Sequence, residues 1–112
     1  MGQVSQDQGV DRAPRVKLGG SILGLALLEN RRQLRVTLHM LSVSGGQVKI
    51  AKPLDEGIKV TLVFHIGATT MRVKVKMLFP MVATNGWLQP FQFMNLSAED
   101  RQKLDSELNA LL

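Results

Sequence analysis

Three stretches of this chain alternate apolar and polar residues with a period of two, which commits it to sheet with one buried and one wetted face. Gln33 to Leu41 sets Leu34, Val36, Leu38 and Met40 against Arg35, Thr37 and His39. Lys59 to Ile66 groups Val60, Leu62, Phe64 and Ile66, and Thr70 to Leu78 groups Met71, Val73, Val75 and Met77 opposite an outward row of Arg72, Lys74 and Lys76. The short link Gly67-Ala68-Thr69 makes the last two a hairpin.

The rest of the chain fits around these strands. Val16 to Leu28 is apolar but carries Gly19-Gly20, so it reads as a bent or bulged strand, closed by the polar turn Glu29-Asn30-Arg31-Arg32. Ser42 to Gly46 reads as a turn before a short strand at Gln47 to Ala51, and Lys52 to Gly57 as a further turn. Met81 to Thr84 and Trp87 to Met94 form a final hairpin about Asn85-Gly86, residues that tolerate the positive φ angles of a type I′ turn. Ser97-Ala98-Glu99-Asp100 has the form of a helix N-cap, and Leu104, Leu108 and Leu111 recur at helical spacing, so a terminal helix must dock its apolar stripe. Short strands followed by one helix predict a mainly β fold, a small antiparallel barrel with a C-terminal helix. At 112 residues the chain has room for one domain, placed over 11–112. That domain divides into a basic linker 11–15, a barrel 16–95 and a helix 97–111. Residues 1–10, rich in Gly, Gln, Ser and Asp, read as a flexible tail.

Composition removes several function classes. There is no cysteine, and the two histidines, His39 and His65, are far apart in sequence, so no metal motif and no disulfide framework is legible. No uncharged apolar run reaches the roughly 18 residues a membrane helix needs, and Met1 to Val10 lacks the features of a secretory signal, so membrane insertion is not expected and a cytoplasmic location is. Fourteen Lys and Arg against nine Asp and Glu give a net charge of +5, which favours anionic partners.

Catalysis has almost no candidates. No Gly-x-Ser-x-Gly, no paired His and acid, and no Gly-rich phosphate loop leading into a helix is present. His39 and His65 read as ordinary strand residues, Trp87 as packing, and Gly19-Gly20 as backbone geometry. The chain is expected not to be an enzyme.

Two segments carry more. Arg12-Ala13-Pro14-Arg15 enters the first strand, and Leu41-Ser42-Val43-Ser44-Gly45-Gly46 follows the long alternating one. Together they resemble the PilZ domain family, in which a linker Arg-x-x-x-Arg and a turn Asp/Asn-x-Ser-x-x-Gly occur in this order. The stretches Leu54 to Leu62 and Gly86 to Leu104 extend the similarity to nearly the whole of 11–112. The resemblance implies a six-stranded barrel with a C-terminal helix, and a bacterial, non-enzymatic receptor for the second messenger cyclic di-GMP. Guanidinium groups suit that ligand because their fork matches both phosphate and the guanine O6/N7 edge.

Position by position, Arg15 matches the second motif arginine, Ser42 the serine and Gly45 the glycine. The first arginine is replaced by Asp11, with Arg12 one step later, and the acidic turn position holds Met40. The resemblance therefore implies a cyclic di-GMP site of Arg12, Arg15, Ser42 and Gly45, with Arg35 and Gly46 as further candidates and Arg31 or Arg32 as conceivable compensation. Two missing charged hydrogen bonds, each worth about 1.5 to 3 kcal/mol, imply roughly 100-fold to 10,000-fold weaker binding. Two alternatives remain open at this level. One is a barrel that acts as an adaptor for an unidentified protein without nucleotide; the other is a basic barrel that binds nucleic acid through Arg72, Lys74 and Lys76. Five aromatic residues without a paired exposed set make the last a poor stacking platform.

Overall fold

The alternating segments become strands, and pairing between the two strands at the ends of the sheet order leaves the barrel wall without a free edge. The computed structural model describes residues 15–112. Among these residues the elements are β1 (Val16–Leu27), β2 (Gln33–Leu41), β3 (Gly45–Ile50), β4 (Lys59–Ile66), β5 (Thr69–Met77), β6 (Met81–Ala83), β7 (Gly86–Phe93) and α1 (Ala98–Ala110). All pairings are antiparallel. The order runs β3-β2-β1-β4-β5-β7, and β7 pairs back onto β3, closing a six-stranded barrel; β6 is a short flap on β7, outside the ring. Closure abolishes the exposed edges that an open sheet of this size would present.

The periodicity expected for β4 and β5 is met residue by residue. Val60, Leu62, Phe64 and Ile66 from β4 and Met71, Val73, Val75 and Met77 from β5 are buried in one continuous core, while Arg72, Lys74 and Lys76 are exposed. Strand β1 bulges where its glycines predicted. Between the pairs Lys17↔Met40 and Ile22↔Leu38 it advances five residues while β2 advances two. Gly19 and Gly20 both lie at positive φ, 61° and 81°, a conformation that would strain any residue with a Cβ.

Strand β2 departs from simple alternation. Leu38 pairs with Val48 and Met40 with Gln47, so His39 is an extra residue on the β2 side. The bulge changes the phase: Leu41, not Met40, takes the inward place and is wholly buried, whereas Met40 is only half-buried. The inward face expected for Met40 is thus corrected by a single inserted residue.

Two turns also differ from expectation. Gly45 and Gly46 belong to β3 rather than to the turn, because β3 is wedged between β2 and β7 and its first residues are already paired with both. In the last hairpin Ala83 pairs with Gly86, so Thr84 and Asn85 occupy the loop, although Asn85 and Gly86 both take positive φ.

Helix α1 docks on β5 by Leu104 and Leu108, both fully buried in the barrel core. Ser97 caps it, its hydroxyl accepting the Asp100 amide at 3.0 Å. Leu111 lies past the last helical turn and is 51% exposed, so the apolar stripe is one residue shorter than its spacing predicts. Glu107 clasps the helix to the β4–β5 turn by accepting from the Thr69 hydroxyl at 2.9 Å and the Ala68 amide at 3.3 Å. Substituting Glu107→Ala is expected to cost about 1 kcal/mol, read as a fall of roughly 4–8 °C in Tm. An unchanged melting curve would show that the clasp adds nothing to docking of the leucines.

Candidate functional site

The β2–β3 turn is built by its own hydroxyls. The Ser42 amide donates to the Gly45 carbonyl at 2.8 Å, and the Ser42 hydroxyl donates to the same carbonyl at 3.3 Å. Both lone pairs of the Ser42 hydroxyl oxygen are used as well: the Ser44 amide donates to it at 3.2 Å, and the Ser44 hydroxyl lies 3.0 Å from it. Ser42 is buried and Ser44 exposed. The turn therefore presents Ser44 and backbone to the outside, and holds Ser42 as an internal brace.

Beside this turn the outer wall carries a depression of about 460 Å³, within the range of small-molecule sites. Gly45 and Gly46 line it with backbone, the lack of side chains letting β3 pack close against β2 and β7, and Arg15, Ser42 and Ser44 stand at its side. Strand β7 supplies Pro90 and Gln92, and β3 supplies Gln47. Pro90 faces Gln47 and Gln92 faces Gly45 in the β3–β7 register. Met40, carried outward by the His39 bulge, and Leu78 add apolar wall. Arg15 reaches the place because Val16 pairs with Leu41 and so sets its predecessor beside Ser42.

Arg15, Ser42, Gly45 and Gly46 are thus brought together. Arg12 and Asp11 lie outside the described residues. Arg35 is not at the depression: it pairs with Leu25, five residues before Met40 and therefore about 16 Å along the strand. Arg31 and Arg32 lie in the β1–β2 turn, farther along the same hairpin. Sequence reasoning missed Gln47 and Gln92, because their membership depends on which strand closes onto β3. It also missed Ser44, the exposed hydroxyl of the turn. His39 and His65 take no part; His65 bonds Thr70 across the hairpin, with Nδ1 and the hydroxyl oxygen 2.8 Å apart.

The arrangement is that of a binding wall: one guanidinium, an exposed hydroxyl, two amides and an apolar patch around a glycine floor. No family model matches the chain, and no curated protein matches it. Solved structures do. The PilZ domain of YcgR from Escherichia coli, with c-di-GMP, superposes with a TM-score of 0.71 at 21% identity over 89% of both chains. YcgR from the same organism in complex with c-di-GMP gives 0.78 at 20% identity, covering 89% of this chain and 45% of that one. The inhibitor of motility MotI/DgrA from Bacillus subtilis gives 0.73 at 14% identity, over 88% of this chain and 49% of its own. The chain spans about half the length of the latter two. The fold is accordingly that of PilZ domains, and the six-stranded barrel with a C-terminal helix implied by the resemblance is present.

Proposed function

We propose that this chain is a non-enzymatic regulatory module that takes cyclic di-GMP in the outer-wall depression, with the affinity reduced by the loss of two motif residues. The observation that carries this reading is the convergence of Arg15, the Ser42–Gly46 turn and the glycine floor on one open depression. The chemistry suits the ligand. Arg15 supplies a fork for phosphate or a guanine edge. Gln47 and Gln92 each offer an amide donor and acceptor, the pair a guanine edge requires, and Met40 and Pro90 offer an apolar face for a purine. The fold's likeness to a PilZ domain with c-di-GMP supports the same reading. A cytoplasmic place in a bacterial cell goes with such a messenger.

A second reading, an adaptor for another protein without nucleotide, is favoured by the Ser42 hydroxyl, whose hydrogen-bonding capacity is spent inside the turn, and by the missing acid at Met40. Calorimetric titration of the full chain with cyclic di-GMP, with GMP as control, separates the two. Saturable binding to the dinucleotide is expected, and an Arg12→Ala, Arg15→Ala double variant should lose about 100-fold or more of it. Flat heats up to high micromolar ligand would overturn the receptor reading and leave the adaptor.

A further inference from the structure

Charge on this barrel is segregated. Among the described residues every charged residue within the strands is Lys or Arg, and the acidic ones lie in the connections and in α1. The wall made by β2, β1, β4 and β5 lies on the side of the ring opposite the β3–β7 pair that floors the depression. On it an apolar patch lies between a single cation on β2 and a cationic row on β5. Leu23 and Leu25 point outward from β1, 68% and 38% exposed, and Val63 of β4 pairs with Leu25. On one flank Arg35 pairs with Leu25; on the other Arg72 pairs with Val63, and Lys74 follows two residues later.

We propose that this wall docks an amphipathic helix of a partner protein, one whose apolar stripe is bordered on both sides by Asp or Glu. Three features select that occupant. Arg35 and the Arg72–Lys74 row are three strand spacings apart, about 14 Å along the sheet, close to the 10–12 Å diameter of a helix with its side chains. An apolar stripe laid along β1 and β4 would cover Leu23, Leu25 and Val63, which water otherwise contacts, and its bordering carboxylates would meet Arg35 on one side and Arg72 and Lys74 on the other. Among the described residues β1, β2, β4 and β5 carry no acid, so none of their side chains repels such a partner, whereas a basic helix meets repulsion on both flanks. Nucleic acid fits less well, since an aliphatic patch occupies the middle of the cationic surface where phosphates or stacked bases would have to lie. The inference stands on the wall alone and does not depend on nucleotide in the depression.

The test uses the full chain and a designed helical peptide of about 18 residues with a leucine stripe bordered by glutamate, beside a twin in which every glutamate is lysine. Backbone amide shifts of the protein are followed during titration. Saturable binding of the acidic peptide is expected, with shifts centred on Leu23, Leu25, Val63, Arg35 and Arg72, and no binding of the lysine twin. Leu25→Glu should weaken the acidic peptide about tenfold or more, and an Arg35→Ala, Arg72→Ala double variant should do the same while its melting curve stays that of the parent. The double variant keeps the test intact if Leu25→Glu disturbs the fold. Equal binding of both peptides, shifts centred elsewhere, or no binding of either would overturn the proposal. So would saturable binding of single-stranded DNA or of phosphatidylglycerol vesicles at this wall in place of the acidic peptide.

Discussion

Replacing Gly46 with alanine should destabilise the barrel by about 3 kcal/mol and lower its Tm by roughly 15 °C, and Gly45→Ala should do nearly as much. Neither effect comes from backbone conformation, since both residues are extended strand. They come from space. A Cβ on Gly46 would collide with the Met40 carbonyl, and would also stand 2.9 Å from the Phe91 ring and 3.2 Å from the Leu41 Cα. A Cβ on Gly45 would collide with the Phe91 carbonyl and stand 3.0 Å from the Gln92 Cα. Backbone atoms cannot turn aside as a flexible side chain can, so relief requires prising β3 from β2 or from β7. Those are the pairings that close the ring. Thermal melts of the two variants check this, and a Tm within a few degrees of the parent for both would show that the ladder shifts at little cost. The expected loss holds without any ligand, so Gly45 and Gly46 act on the depression first as the condition for its floor. A titration of either variant must therefore be done well below its own transition.

A comparable loss is expected from Gln89→Leu. Gln89 sits on β7 in the inward row with Trp87, Phe91 and Phe93, and is completely buried. Its amide is fully employed. Nε2 donates to the Leu54 carbonyl at 2.7 Å and to the Leu78 carbonyl at 2.9 Å, and Oε1 accepts the Leu54 amide at 2.9 Å. One side chain thus ties the β3–β4 connection and the link after β5 to the closing strand. Leucine has similar bulk and removes all three bonds, leaving one N–H and two C=O groups without this partner in a half-buried setting. At about 1–3 kcal/mol for each polar group left unsatisfied, a total near 3 kcal/mol follows, allowing for partial access of water. Chemical denaturation checks the value through a shift in midpoint at constant slope. A loss below about 1 kcal/mol would mean that the Leu54 and Leu78 groups find water readily.

Gln89 was not singled out from sequence: it shares the phase of Trp87, Phe91 and Phe93 on its strand, but its partners lie elsewhere in the chain. Leu54 is 35 residues away in sequence and Leu78 is 11 away, and only barrel closure sets both beside β7. The candidate site divides in the same way. Arg15, Ser42 and Gly45 were legible because they belong to short motifs carried by local sequence. Gln47 and Gln92 were not, since each looks like any polar residue on the wet face of a strand until β7 pairs with β3. Arg35, suggested by charge alone, proved to face another part of the wall.

Local order was the sequence's own doing. Period-two alternation defined β4 and β5 with their buried rows, the glycine pair predicted the bulge of β1, and Ser97 with Leu104 and Leu108 set the start and the docking face of α1. These features depend on neighbours within a few residues, where side-chain parity, capping and steric freedom act directly. Tertiary structure alone decided three things: which strands pair to close the expected barrel, that β3 takes Gly45 and Gly46 into its ladder, and that the His39 bulge turns Met40 outward and Leu41 inward. Each depends on the distance between backbones far apart in sequence, and on where an extra residue is absorbed. That is settled by the packing of the whole ring, because a one-residue change of register exchanges the buried and exposed faces of a strand.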